Sequence, residues 1–289
     1  MLNKKKIDVT NIILTFCFVL VAIVVVYPFY SSILTSFMTE KEVMENPFPF
    51  IVKDPTLASY KQIFSDSKIP SGYVNTAIML LMDIPLSMVI NTALAYALSR
   101  KSFPFSKFFN NMIVFTMYFG GGLIPSYLLI KSLGIMGSRW SVVLPTLAST
   151  YNMILIKSYF YTLPDSLEES AKLDGANDLV IFGKIFIPLA KPILATVFLF
   201  ICVGRWNEWY SSLLYLNDSR AWPLSLVLRE IITETVSKTE NADMGSLENT
   251  FSQGVKMASI AVTMGPIMIL YPFLQKYFMS GLTVGAVKG

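Results

Sequence analysis

The chain has 289 residues, of which 54% are apolar and only 15% charged, and its mean hydropathy is +0.56. A soluble domain has about 45–50% apolar and about 25% charged residues, so this composition excludes an ordinary soluble globular protein. There is no histidine, which removes the usual general base, the commonest metal ligand and the usual Ser or Cys triad; the net charge of +4 fits lysines in membrane-flanking loops better than nucleic-acid binding.

The apolar residues come in long blocks. A helix rising about 1.5 Å per residue needs about 20 of them to cross about 30 Å of hydrocarbon. Six blocks fit: about Ile12–Leu34, Val74–Ser99, Asn110–Ile130, Ser141–Phe160, Leu189–Leu214 and Ser259–Met279. The first follows Lys4-Lys5-Lys6, but it is too long for a secretory signal and no small-residue cleavage site follows, so it reads as a retained helix. The expected fold is all-α: one polytopic membrane domain over residues 1–289 with six transmembrane helices. Cys17 and Cys202 both fall inside apolar blocks and read as buried thiols.

Lysine and arginine set the orientation. Lys4, Lys5 and Lys6 precede span one; Arg100, Lys101 and Lys107 fill the short second connection; Lys157, Lys172, Lys184 and Lys191 surround the fourth; Lys276 and Lys288 follow span six. These alternate regions are expected to be cytoplasmic, with both termini inside. The outer first loop, about Thr35–Tyr73, is rich in proline. The last outer connection, about Asn217–Gln253, holds a periodic stretch, Leu224–Ile232, that reads as a short interfacial helix, and a polar middle, Thr233–Glu248, that reads as a flexible excursion.

The fourth connection, about 163–188, is the most informative. Pro164 ends what precedes it. Ser166 and Glu169 have capping-box spacing, which predicts a helix from Ser166. Gly175 suits the left-handed position after that helix, and Asn177 or Asp178 can cap a second helix to Ile187, stopped by Pro188. Ala171, Gly175 and Ala176 are small enough for a partner's backbone to come close. On its residues alone this segment fits a capped loop lying on its own bundle as well as it fits a docking surface.

Glu169-Ser170-Ala171 followed by Asp174-Gly175-Ala176, with Ile185 and Pro188 beyond, resembles the EAA loop of binding-protein-dependent ABC importer permeases, Ser170 standing where Ala is usual. Further matches point to the carbohydrate, MalG-like branch: Ala95-Tyr96-Ala97-Leu98-Ser99-Arg100 with Phe103, Trp206-Asn207-Glu208-Trp209, and the tail from Gln275 to Gly289. Gly120-Gly121-Gly122-Leu123-Ile124-Pro125 and the long last outer loop resemble the LplC/YtcP-like oligosaccharide permeases. The resemblance implies the ABC type I importer permease fold. It makes Glu168, Glu169, Ser170, Ala171, Asp174, Gly175 and Ala176 the residues that couple to a cytoplasmic ATPase. It also implies a second, homologous permease, two ATPase subunits, an extracytoplasmic binding protein and a sugar cargo. The expected place is the cell membrane. No cofactor or metal is expected on this chain, with ATP and Mg on the partner ATPase, and no catalysis by the chain itself.

Other residues bear on the solute path. Asp83 is the one acid deep in a predicted span, read as a substrate contact or, preferably, an interhelical hydrogen bond beside Pro85. Arg205 and Glu208 have the spacing of a local ion pair. Trp206, Asn207 and Glu208 mix aromatic faces with hydroxyl-binding groups suited to a sugar, although interface anchoring of the tryptophans is the preferred reading. Tyr118 and Asn152, with Tyr151, are weaker candidates. Gly120-Gly121-Gly122 lacks the Lys-Ser/Thr of a phosphate loop and reads as a place where a span bends. The alternatives are an importer permease for a non-sugar solute and a stand-alone secondary transporter, which usually carries several intramembrane ionisable groups.

Overall fold

The computed structural model describes residues 9–65, 67–100, 102–241 and 253–269. Every regular element among them is helical. In chain order these are α1 (Val9–Ser36), α2 (Glu40–Glu45), α3 (Ala58–Ser65), α4 (Lys68–Ser99), α5 (Ser106–Tyr118), α6 (Leu123–Ser132), α7 (Arg139–Val143), α8 (Thr150–Phe160), α9 (Asp165–Leu173), α10 (Asp178–Leu189), α11 (Lys191–Asn207), α12 (Tyr210–Tyr215), α13 (Leu224–Asn241) and α14 (253–269). The tail matched from Gln275 onward lies outside the described residues, as does the far half of the sixth predicted span.

The chain divides into two compact units, Met1–Ser67 with Leu228–Met264 and Lys68–Val227 with Gly265–Gly289. In the first, α1 is apolar throughout and exposes its side chains on all sides from Thr10 to Val26, as a lipid-facing helix does. Cys17 is therefore exposed on α1 rather than buried in protein. Behind α1, the Phe37 and Tyr60 rings pack 4.9 Å apart, and the Ser36 and Tyr60 hydroxyls meet at 2.7 Å.

In the second unit α4 is the axis. Its buried residues recur at every fourth position, Asn75, Met79, Asp83, Ser87, Asn91 and Ala95, which lie in one row on a helix. Met79 joins an apolar core with Val142, Val143 and Tyr215. Ala95 and Tyr96 join another with Ile156, Phe160, Phe186 and Val197. The polar stretch Asp83–Ser87–Asn91 lies between these two apolar contacts. At the opposite end, Gly72 lets another segment come close: a Cβ there would meet the Leu224 backbone at 3.0 Å.

Two helices, Thr10–Ser36 and Lys68–Ser99, are long and apolar enough to cross a bilayer alone, and two bent pairs reach that length together. The chain bends 111° between α5 and α6 at Phe119–Gly122, where Gly122 takes φ +85, so the triple glycine breaks this span as its composition suggests. Pro188 does not stop a helix. A π turn at Phe182–Phe186 precedes it, with the Ile187 N–H reaching back to the Phe182 carbonyl, and α10 runs on to Leu189 before an 81° bend into α11. The predicted fourth span, 141–160, is interrupted: α7 passes into a 3₁₀ turn at Leu144–Thr146, and α8 starts afresh with Ser149 as its cap. The fifth is likewise divided after Asn207. Residues 233–241 continue α13 as helix instead of the flexible excursion expected there.

Candidate functional site

The elbow after α8 is built from two turns. The α9 helix begins at Asp165, one residue before the predicted start, with Pro164 in the cap position and no side-chain cap bond. The Ser166–Glu169 capping box is therefore not formed, because Pro164 already supplies extended geometry and its carbonyl takes the Leu167 N–H at 3.2 Å. The other end follows the sequence closely. Gly175 takes φ +79, its N–H reaches the Lys172 carbonyl at 3.0 Å, and the Ala176 N–H reaches the Ala171 carbonyl at 2.9 Å. This pair of bonds is a Schellman closure, which needs a residue free to adopt positive φ. Asn177 then caps α10 through the Val180 N–H at 2.9 Å.

The seven expected coupling residues divide between inside and outside. Glu169, Ser170, Asp174 and Gly175 are exposed, and a Cβ at Gly175 would meet nothing within 4 Å. Leu173 and Leu179 flank the turn at 90% and 79% exposure, an apolar rim uncovered among the described residues. Ala171 is buried, Ala176 is half-buried, and Glu168 turns inward.

Glu168 meets two cations, Arg100 and Lys172, the latter at 2.6 Å. Burial pushes its carboxyl up, but the hydrogen bonds from Lys172 and Arg100 outweigh that and hold it below the usual carboxylate range. Lys172 is raised in return by its bond to Glu168. Arg100 follows the C-terminus of α4, where a cation suits the helix dipole. Its guanidinium lies 5.0 Å from the Tyr96 ring and 4.4 Å from the Phe186 ring, and it also bonds the Ser99 hydroxyl at 2.9 Å. One arginine thus ties α4, α9 and the π turn of α10 together. Beside it opens a cleft of about 350 Å³ lined by Arg100, Tyr161, Asp165, Glu168, Glu169 and Lys172. In the sequence Arg100 stands out as a topology signal and as the end of the Ala95–Arg100 motif, neither of which points to its contact with Glu168.

A second cluster lies within the spans. Asp83 pairs with Arg205 of α11 at 2.7 Å, and its other oxygen accepts from Ser87 at 2.6 Å. The expected Arg205–Glu208 pair is absent because both groups are engaged elsewhere, Arg205 turning inward to Asp83. Glu208 instead caps α12 through the Ser211 N–H at 2.7 Å. Arg205 also donates to the Val142 carbonyl and the Thr146 hydroxyl, and Asn91 takes the Ser149 N–H while donating to the Leu147 carbonyl, both at 2.8 Å. These are the backbone groups freed by the break between α7 and α8, and a membrane tolerates such a break only where the protein satisfies them. Asp83 is therefore an interhelical contact, but with a charged partner.

The remaining path candidates do not converge. Tyr118 is 76% exposed at the end of α5, and Asn152 is buried on α8. Trp206 packs edge-on to Tyr73 at 6.0 Å, and the exposed Asn207 donates to the Val203 carbonyl at 3.0 Å. Among the described residues no group of His, Cys, Asp or Glu could hold a metal ion.

Residues 9–284 match the family model described as binding-protein-dependent transport system inner membrane component. The chain belongs to this permease family. The permease is 40% identical to the polygalacturonan/rhamnogalacturonan transport system permease protein YtcP of Bacillus subtilis (strain 168), over 93% of this chain and 94% of that one. It is 37% identical to Protein LplC of the same strain, over 93% and 91%. Its structure matches a chain from the crystal structure of a bacterial ABC transporter that imports the acidic polysaccharide alginate, with a TM-score of 0.86 and 28% identity over 96% of the permease and 99% of that chain. The permease accordingly has the all-helical type I ABC importer fold and is an inner membrane component of such a transporter.

Proposed function

We propose that the permease couples ATP hydrolysis on a separate subunit to the passage of an oligosaccharide. The observation that carries this reading is the elbow: an exposed turn at Gly175, rimmed by Leu173 and Leu179, whose inner side is fixed to the bundle through Glu168 and Arg100. The rim offers a partner an apolar grip. The fixed side carries displacement into α4 directly and into α11 through α10. The cargo assignment is supported by the likeness to YtcP, a polygalacturonan/rhamnogalacturonan permease, and to the alginate importer.

In this reading the chain crosses the membrane six times with both termini cytoplasmic and forms one permease domain. A second, homologous permease completes the pathway, two ATPase subunits dock beneath, and an extracytoplasmic binding protein delivers the sugar. ATP and Mg are held by the ATPase subunits, and this chain binds no cofactor and hydrolyses nothing. ATP closes the ATPase pair, the elbow follows, and the spans rearrange around the satisfied break in span four. Glu169, Ser170, Asp174 and Gly175 face the ATPase; Ala171 and Ala176 allow its close approach; Glu168 positions the helix. Tyr118, Trp206 and Asn207 remain candidates for the path, while Asp83, Asn152 and Glu208 shape its walls.

The test is uptake into proteoliposomes holding the complete transporter, with galacturonan, alginate and neutral glucan oligomers as cargo. Uptake of at least one of them, dependent on both ATP and the binding protein, is expected. Import of none of them, alongside import of a peptide or amino acid, would overturn the cargo assignment. Uptake by the single chain driven by an ion gradient would overturn the ATP-coupled reading.

A further inference from the structure

Between α2 and α3 the first unit carries a loop with an apolar, exposed tip. Phe48, Phe50 and Ile51 are 72%, 68% and 75% exposed. Single exposed apolar residues are ordinary, whereas three within four positions form a patch that calls for an occupant. The tip is firmly held. Glu42, itself buried, accepts the backbone N–H groups of Lys53 at 2.6 Å and Asp54 at 3.3 Å and so closes the loop's base. Pro49 is buried between the exposed rings. Tyr30 of α1 donates its hydroxyl to the Phe50 carbonyl at 2.6 Å, and the Phe50 ring lies 5.4 Å from that of Tyr27.

These contacts fix the depth of the tip along α1. That helix carries no charge from Val9 to Ser36, but its apolar run from Ile12 ends at Val26, after which Tyr27, Tyr30, Ser31 and Ser32 bring in polar groups, and about 20 residues counted from Ile12 span the hydrocarbon layer. Tyr27 and Tyr30 therefore stand at its far rim, the level at which tyrosine and tryptophan sit between hydrocarbon and head groups. Val24, Val25 and Val26 just below are 63%, 55% and 59% exposed, and the tip continues that outward-facing surface.

We infer that residues 47–51 form a wedge seated in the lipid interface at the end of α1 opposite its N-terminus, an inference that rests on α1 being a membrane span. The backbone chemistry suits that depth. Pro47 and Pro49 have no N–H to leave unpaired, and the Phe50 carbonyl already has its donor in Tyr30. The charged neighbours Glu45, Lys53 and Asp54 bound the apolar tip on both sides, the pattern of an interfacial segment with its polar ends in water. The wedge would fix the height of the outer loop against the bilayer while the spans beneath it move.

Site-directed spin labelling tests this in the complete transporter in liposomes. Single nitroxides are placed at Phe48 and Ile51 in a Cys17→Ser, Cys202→Ser background, with Val19 and Lys53 as references. Oxygen concentrates in lipid and a nickel chelate stays in water. The expected oxygen-to-nickel accessibility ratio at 48 and 51 is severalfold above that at 53 and approaches that at 19. A ratio equal to that at 53 places the tip in water and overturns the inference. Low access to both reagents means that another subunit covers the tip and overturns it equally. If α1 were not a span, nickel access at Val19 would reveal that separately.

Discussion

Asp83 and Arg205 each carry a charge that an apolar span can hold only in company, and they hold each other while Ser87, Thr146 and the Val142 carbonyl take the remaining bonds. Removing one partner of a buried pair costs roughly 3–5 kcal/mol, because the other is left charged and dry. Arg205→Met should be the more damaging change, since it strands Asp83 and also two acceptors on the broken fourth span. Adding Asp83→Leu should recover part of the loss by removing the stranded charge, but not the part that belongs to span four. Thermal unfolding of the purified transporter in a double-mutant cycle measures this; strictly additive effects would show that the two side chains do not interact. Asp83 was legible in the sequence as a buried acid needing a partner. Arg205 was not, because Glu208 is the acid nearest to it in sequence, whereas its actual partner lies 122 residues away on α4. A better signal was available in the four-residue rhythm Asp83, Ser87, Asn91, which sets three polar groups in one row of an otherwise apolar helix.

At the scale of elements, the elbow shows which local rules win. Gly175 and Asn177 act as their chemistry suggests, since positive φ and a short side-chain oxygen are strong local preferences. The capping box yields to Pro164, whose fixed φ of about −65° starts the helix one residue early. Bends were legible only where glycines cluster; the groups at the break between α7 and α8 are satisfied by Asn91 and Arg205 from other spans, so no local window contains that break. The Glu168 cluster also has a pH signature. Its carboxyl is depressed below the ordinary 4.5, so its contribution is fully present above that value and is lost as pH falls through the depressed one. Lys172 is raised above 10.5, so its contribution persists below that value and disappears only as pH rises through the raised one. Between about pH 5 and 9 both stay charged. Glu168→Gln should therefore weaken ATPase-subunit binding by a constant factor across that window, and the difference from wild type should fade only as pH drops through the depressed value, below 4.5. A difference that changes between pH 5 and 9 would assign the effect to another group.

For the whole molecule, composition and block length were enough to read an all-helical membrane protein, and the motifs were enough to place its family. Orientation rests on a modest lysine bias and has its own test. Cysteines at Lys172 and Ser219 lie in the fourth connection and the last outer one, both exposed. In a background lacking Cys17 and Cys202, a membrane-impermeant thiol reagent added to intact cells should label the Ser219 position and spare the Lys172 position. The reverse pattern would place the elbow outside and remove the ATPase from its reach.

The claim on which the rest depends is that the elbow transmits ATPase movement, and Gly175→Val tests it most directly. The site has φ +79, which a β-branched residue avoids, yet a Cβ there would meet nothing within 4 Å among the described residues, so the damage should be confined to the turn and to whatever docks on it. Co-purification of the ATPase subunits with the tagged variant, read beside ATP-driven oligosaccharide uptake, is the decisive measurement. The expected result is a normal amount of permease in the membrane, with ATPase subunits largely lost from the complex and uptake abolished. Full uptake with undiminished ATPase binding would contradict it and reduce the elbow to a connection between spans.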